Sequence, residues 1–172
     1  MAINETGQKL STAIHEQYGA AIEMLESVIT KCPEGIWYDS QQGPPFWQVV
    51  YHTMFYLDLY LSSSKEERDS FKAEYESEFR ILDSKPDTSL NREQVLIYLK
   101  KIKLKAKRRL VAITTEELNQ PSVFEWHGSS ILSSFFYNLR HVMLHVGALN
   151  SRLLRKGVKL DNWISQKLIE EE

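Results

Sequence analysis

The sequence predicts an all-α protein from three observations. Apolar residues recur at helical spacing over four long stretches. The 7 glycines and 5 prolines are few, and most of them cluster where that spacing is interrupted, at Pro33–Gly35, Gly43–Pro45 and Pro121–Gly128. No stretch shows the strict alternation that is typical of a half-buried strand. We therefore expect a four-helix bundle in a single domain over residues 1–172.

The first two predicted helices differ in how their apolar residues are distributed. The first runs from about Ile3 to Lys31 and carries one apolar stripe, which ends at Cys32–Pro33. The second begins at Pro44 or Pro45, because proline suits a first helical turn, and runs to about Ser63. It is apolar on nearly every side. We therefore expect it to be buried or to lie at a partner interface.

A long connection separates the second predicted helix from the third. Residues Ser64–Ser89 are charged, and we expect a short helix or a packed loop there. The third helix begins near Ser89–Asn91 and runs to about Ile113, and the fourth runs from about Ser129 to Arg155. Gly157 is a plausible stop signal for the fourth helix. In the tail, we expect Trp163 to pack back onto the helices.

Composition and charge favour some classes of protein over others. The net charge is −2, so no overall field directs the chain to nucleic acid or to an anionic membrane. The basic run Lys100–Leu110 is best explained as a solvated helix face. A single cysteine, Cys32, fits a reducing compartment. The polar first residues do not resemble a signal peptide, and the most apolar run, Val49–Leu61, is too short to cross a bilayer. We expect a cytoplasmic protein that binds neither nucleic acid nor membrane.

The histidines carry the functional prediction. His141 and His145 are one helical turn apart, so their Cβ atoms lie roughly 6 Å from each other. Two imidazoles at this spacing can share a metal ion, although the pair could equally be two structural histidines. His52 lies midway along the most apolar helix, and a bundle would bring it to the pair. Three histidines with an open fourth position suit zinc or nickel. We therefore predict a metal site of His52, His141 and His145.

Other metal and nucleotide motifs are absent. A zinc-protease helix needs a glutamate between its histidines where this chain has Val142. The sequence also lacks the pair of Glu-x-x-His motifs of di-iron bundles. No glycine-rich nucleotide-binding pattern occurs.

Four further polar residues have two interpretations each. His15 is off-centre on the first helix, which favours a partly exposed residue over a fourth ligand. His127 is a loop residue or an acid–base or substrate contact at the rim of the site. Gln48 and Asn138 either orient a ligand imidazole or are exposed.

Two segments together resemble the DinB superfamily, the DinB/YfiT-like metalloenzymes. These are PFWQVVYHTMFYLDLYL and the later LRHVMLHVGALNSRLL, which contains the string R-H-x-x-x-H-x-G-x-L at Arg140–Leu149. The resemblance covers the whole chain, including the long connection between the second and third helices. The chain departs from the family at Ala148, where glutamine is common, and at Leu144, where a third histidine is common.

The resemblance implies a DinB-like four-helix bundle that holds a divalent metal, often nickel or zinc, on His52, His141 and His145. It also implies a homodimer and a small-molecule substrate, since characterised relatives include thiol S-transferases and hydrolases. The leading hypothesis is therefore a metal-dependent enzyme of transferase or hydrolase type, with thiol S-transfer as one form. The alternatives are a non-enzymatic metal-binding or dimeric interaction protein and a purely structural bundle. No general base or other catalytic residue can be named from the sequence.

Overall fold

The computed structural model describes residues 2–41 and 43–170, with side chains from Gly7 onward. These residues form α-helices and short 3₁₀ turns, and no strand occurs among them, so the all-α prediction is confirmed. The helices are α1 (Ala2–Lys31), α2 (Glu34–Trp37), α3 (Phe46–Leu59), α4 (Lys65–Asp69), α5 (Arg92–Val111), α6 (Thr115–Leu118) and α7 (Ile131–Arg155). The 3₁₀ turns are Ser77–Arg80 and Glu125–His127.

Local side-chain bonds explain where several helices begin and end. Asn91 and Gln94 form a reciprocal capping box at the start of α5. The Ser130 hydroxyl accepts a bond from the first turn of α7. At its end α3 stops at Leu59, short of the predicted Ser63. There the Ser62 hydroxyl donates to the Leu59 carbonyl at 2.7 Å, which competes with helical backbone bonding.

The long helices share one hydrophobic core. Helix α1 packs against α5 and α7, and α3 packs against α7 and α5. Helix α3 is the most enclosed of them, with Val50, Tyr51, Met54 and Leu57 fully buried. The prediction that this helix is buried is confirmed. Its all-round apolar surface follows from having neighbours on several sides.

The connection between α3 and α5 lies on α3, and we call its residues 75–84 the strap. Tyr75 donates its backbone N–H to the Tyr51 hydroxyl at 3.2 Å. Phe79 is buried, and its ring meets the Trp47 ring edge-on at 5.1 Å between centroids. The strap therefore covers one side of α3, and the expected packed segment is confirmed.

The tail runs back along α1 but not through the residue predicted to anchor it. Trp163 is 73% exposed, so that prediction is wrong, and Ile169, at 7%, makes the apolar contact instead. The backbone N–H of Lys167 donates to the backbone carbonyl of Glu16 at 3.1 Å. A Cβ on Gly19 would lie 1.7 Å from the Lys167 carbonyl oxygen, so this close approach requires glycine.

The basic residues of α5 face solvent and acidic neighbours. Lys101 pairs with Glu74, and Arg109 pairs with Glu117. Within the described residues, no helix has both the length and the apolar character that a membrane span requires.

Candidate metal centre

Three histidines converge from two helices. His52 comes from the middle of α3, and His141 and His145 come from successive turns of α7. One ring nitrogen from each lies within 4.8 Å of the other two, which makes this a group able to hold a metal ion. The ring centroids are 5.3 Å apart for His52 and His141, and 4.7 Å for His52 and His145. The structure thus brings together the three residues that the sequence singled out.

One nitrogen–nitrogen distance matches the geometry of a tetrahedral metal site. The Nε2 atoms of His52 and His141 lie 3.3 Å apart. Two imidazole nitrogens bound at about 2.0–2.1 Å with a tetrahedral angle between them would be separated by about 3.3–3.4 Å. The same distance also permits a hydrogen bond in which one imidazole donates to the other. The pair therefore fits a shared ion without requiring one.

The backbone fixes which nitrogen of His52 is available. Its Nδ1 lies 2.7 Å from the carbonyl oxygen of Arg80, at the end of the first 3₁₀ turn. A carbonyl only accepts, so Nδ1 carries the proton and donates. Nε2 is then left with its lone pair, and this is the nitrogen that faces His141. A backbone carbonyl in this position is a common orienting partner of metal-binding histidines.

The three imidazoles are neutral at neutral pH. Burial, and after it the positive charge of the neighbouring histidines, lower the pKa of His141 to about 3. Burial and His52 together lower the pKa of His145 to about 4. The pKa of His52 is also lowered, mainly by burial. Neutral imidazole is the form that binds metal, so the site carries three lone-pair donors without first losing protons.

The centre lies at the boundary between core and solvent. All three histidines are half-buried, whereas Leu144 and Ala148 beside them on α7 are exposed. On the other side, the Tyr56 ring meets the rings of His52 and His141 at 4.9 and 5.4 Å between centroids. An ion held by the histidines would therefore have an aromatic wall on one side and access from solvent on the other.

His127 is not grouped with these histidines but lies in an aromatic cage next to them. It is 5% exposed, and its ring stacks on Tyr137 at 4.0 Å and on Phe124 at 4.6 Å. Neither ring nitrogen has a hydrogen-bond partner among the described residues. Burial lowers its pKa to about 4. The predicted turn before the last helix is present as the 3₁₀ turn Glu125–His127, and a role at the rim of the site stays a prediction.

The two residues considered as orienting groups do something else. Gln48 is fully buried, and its Nε2 donates to the Ile81 carbonyl of the strap at 2.8 Å. Asn138 is fully buried and donates to the Leu57 carbonyl at 3.3 Å. Neither is exposed, and neither is bonded to a ligand imidazole. The orienting role and the exposed position were therefore both wrong. Each side-chain amide instead donates to a backbone carbonyl of another segment.

His15 lies outside the centre, as predicted. It is partly exposed, and its Nε2 accepts a bond from the Ile169 N–H at 3.3 Å. A cleft of about 640 Å³ also lies away from the histidines, between residues 38–48 and 82–89. None of the histidines lines this cleft, so it is not part of the candidate metal centre.

Sequence reasoning missed the Arg80 carbonyl. A backbone acceptor leaves no signal in residue type, and it comes from the long connection whose course over α3 could not be predicted. Comparison with known proteins adds no identity: no family model, no curated protein and no solved structure matches this chain.

Proposed function

We propose that the chain binds one divalent metal ion through His52, His141 and His145, and that it is a metal-dependent enzyme of transferase or hydrolase type. The convergence of three imidazole nitrogens within 4.8 Å carries the proposal. The 3.3 Å separation of two of them, close to that of a tetrahedral site, supports it.

The donor set favours zinc or nickel. Imidazole nitrogen suits these ions, whereas magnesium and calcium prefer oxygen ligands. The cluster of possible ligands contains three histidines and no carboxylate among the described residues. Three protein ligands leave a position for water or substrate, which is the arrangement of catalytic zinc.

The chemistry follows from that open position. A bound divalent ion lowers the pKa of a coordinated water or thiol, so that a nucleophile exists at neutral pH. The protein contributes the fixed orientation of its ligands: the Arg80 carbonyl holds His52 by its Nδ1 atom at 2.7 Å. Tyr56 covers one side of the ligand rings and excludes water there. Thiol S-transfer is one reaction of this type.

The fold and assembly belong to the same proposal. We propose that α1, α3, α5 and α7 form a four-helix bundle of the DinB type, which the string at Arg140–Leu149 resembles. The homodimer implied by that resemblance stays a prediction, to be checked by light scattering of the purified protein.

One observation favours a second candidate, a metal-binding protein without catalytic activity. No carboxylate contributes to the pKa shifts of His52, His141 or His145 among the described residues. A hydrolytic or transfer reaction commonly uses a general base within hydrogen-bond reach of the substrate. The group of possible ligands contains no carboxylate among the described residues, so no base is identified there.

Metal analysis of protein purified without a histidine tag tests metal binding, which both candidate functions require. We expect about one zinc or nickel ion per chain, and a large loss in His145→Ala, which removes one of three ligands. His15→Ala is the matched control because His15 is a half-buried histidine remote from the centre. Absence of metal from the wild type after exposure to both ions would contradict the proposal.

Turnover separates the two candidates. A low-molecular-weight thiol and an electrophile are incubated with the metal-loaded protein, and loss of free thiol is followed. An enzyme should accelerate the transfer in wild type and His15→Ala but not in His145→Ala. Stoichiometric metal with an open position, but without turnover on a panel of thiols and esters, would favour the binding protein.

A further inference from the structure

The candidate centre lacks a negative charge to balance a divalent ion. Its three ligands are neutral imidazoles, and no carboxylate joins them among the described residues. A bound ion would therefore keep its full charge of +2 on the protein side. Such a centre favours an anionic group on whatever binds to it, because the ion is the largest local charge.

Arg80 adds a positive charge beside this centre. Its carbonyl accepts from His52 at 2.7 Å, which places its backbone against a ligand ring. Its guanidinium carbon lies 5.1 Å from the centroid of the Phe55 ring. Phe55 in turn lies 5.1 Å from Tyr56, the aromatic wall of the site. The charge of Arg80 also contributes to lowering the pKa of His52.

This arginine differs from others in the chain. Arg68, Arg92 and Arg109 each form an ion pair with an acidic residue. Within residues 2–41 and 43–170, Arg80 is half-buried but has neither an ion pair nor a side-chain hydrogen bond. A guanidinium presents five N–H donors in a planar fork that matches carboxylate and phosphate oxygens. Its contact with Phe55 is with an aromatic ring, which takes none of these donors in a conventional hydrogen bond.

We infer that Arg80 binds an oxyanion group of the substrate, a carboxylate or a phosphate, while another atom of the same molecule occupies the open position at the metal. The inference rests on the proposed metal site and names the class of molecule that site takes. Arg80 would then select the substrate, and the ion held by the three histidines would activate it.

Cobalt-substituted protein and three small thiols of similar length test this role. Mercaptopropionate carries a carboxylate, mercaptoethanol a neutral hydroxyl and cysteamine an ammonium group. Thiolate binding to cobalt produces a charge-transfer absorption band, so each dissociation constant is measured directly without any turnover. We expect wild type to bind mercaptopropionate about tenfold more tightly than mercaptoethanol, and cysteamine least tightly, since a charged hydrogen bond contributes this much.

Variants assign the preference to Arg80. Arg80→Gln should bind the three thiols with nearly equal affinity, and Arg80→Lys should keep part of the preference because it keeps the charge but loses the fork. Arg155→Gln is the matched control, since Arg155 is an exposed arginine on α7 whose side chain bonds to Ser151 and to no acidic residue in the described part of the chain. The cobalt spectrum before addition of thiol shows that each variant is folded. Displacement of mercaptopropionate by acetate or by inorganic phosphate distinguishes the two kinds of oxyanion.

The outcomes separate this inference from the metal proposal. If one cobalt ion binds but wild type does not prefer mercaptopropionate, or the preference survives in Arg80→Gln, the inference about Arg80 is wrong and the metal site stands. If cobalt does not bind, the metal site fails and the inference fails with it. Equal loss of preference in Arg155→Gln would also overturn it, because the effect would then be one of overall charge.

Discussion

His52 and Arg80 are joined by a bond between a side-chain nitrogen and a backbone carbonyl, 2.7 Å long. The bond ties a candidate ligand on α3 to the strap, which lies 28 residues further along the chain. It fixes both the proton position and the orientation of the imidazole. The candidate centre therefore depends on how firmly the strap is held against α3.

Gln48→Leu should weaken metal binding without touching a ligand. The substitution removes the bond from Gln48 to the carbonyl of Ile81, the residue after Arg80, which is the direct bond from α3 to that carbonyl. The carbonyl keeps its bonds from the hydroxyl and the backbone N–H of Ser84 within the strap. We expect a loss of about 0.5–1.5 kcal/mol in the free energy of unfolding, the net contribution of one hydrogen bond. Metal affinity should fall about tenfold through the less firmly held strap. Competition with a chromophoric chelator measures the affinity.

Ser84→Ala is the control for this prediction. It removes the contact of Gln48 with the Ser84 hydroxyl, at 3.1 Å, and the bonds of that hydroxyl to the Ile81 and Glu78 carbonyls. It keeps the bond from Gln48 to Ile81 that joins α3 to the strap. Because the bond between Gln48 and Ile81 remains, metal affinity should stay close to that of wild type. An unchanged affinity in Gln48→Leu, with the protein folded, would show that the strap does not support the site.

Zinc should raise the stability of the folded protein. The three ligand nitrogens come from helices that are brought together only by folding, so the ion binds the folded chain in preference to the unfolded one. At free zinc a hundredfold above the dissociation constant, the gain is about 2.7 kcal/mol. Urea unfolding with zinc and with chelator measures it. The same gain in His145→Ala would mean that zinc binds elsewhere.

Gly19→Ala should release the tail from α1. The new Cβ would collide with the Lys167 carbonyl, which is part of the backbone and cannot turn aside. We expect the free energy of unfolding, measured in urea, to fall by about 1–3 kcal/mol. Proteolysis near the C-terminus should become faster. Gly147→Ala makes the same change at a helical glycine with nothing within 4 Å of the added carbon.

The control substitution, Gly147→Ala, should raise the free energy of unfolding, whereas Gly19→Ala should lower it. The gain in the free energy of unfolding should be up to about 1 kcal/mol, because alanine in a helical segment lowers the conformational entropy of the unfolded chain. Equal effects of the two substitutions would show that the contact of Gly19 with the tail carries no energy.

The sequence predicted the parts of this structure that depend on side-chain pattern. The stripes located the long helices, and the spacing of His141 and His145 with a central His52 located the group of nitrogens. What it could not predict depends on how segments cover one another. All-round apolarity indicated that α3 is buried but not that the strap covers it, and the Arg80 carbonyl is invisible in a sequence. Trp163 was expected to pack back onto the helices, yet it is exposed, and the tail is held to α1 by the backbone bond from Lys167 to Glu16.

His127→Phe should stabilise the protein, and more so in acid. His127 lies between aromatic rings with both nitrogens buried and unpartnered among the described residues, so phenylalanine suits the cage better. Removing these unsatisfied groups should add about 1–2 kcal/mol at neutral pH. The folded pKa is about 4 against an ordinary value of 6.5. As the pH falls from 6.5 toward 4, His127 is protonated in the unfolded chain but stays neutral in the folded chain. The free energy of unfolding therefore falls over this range.

Phenylalanine does not titrate, so the variant should lose less stability over that range than wild type does. Urea unfolding at neutral pH and at about pH 5 measures the difference, with the metal removed so that binding does not contribute. An equal or steeper decline in His127→Phe would show that His127 is not the group that resists protonation. Metal affinity should be unchanged, because His127 is not among the three converging ligands. Loss of turnover with metal still bound would instead assign His127 a role at the rim of the site.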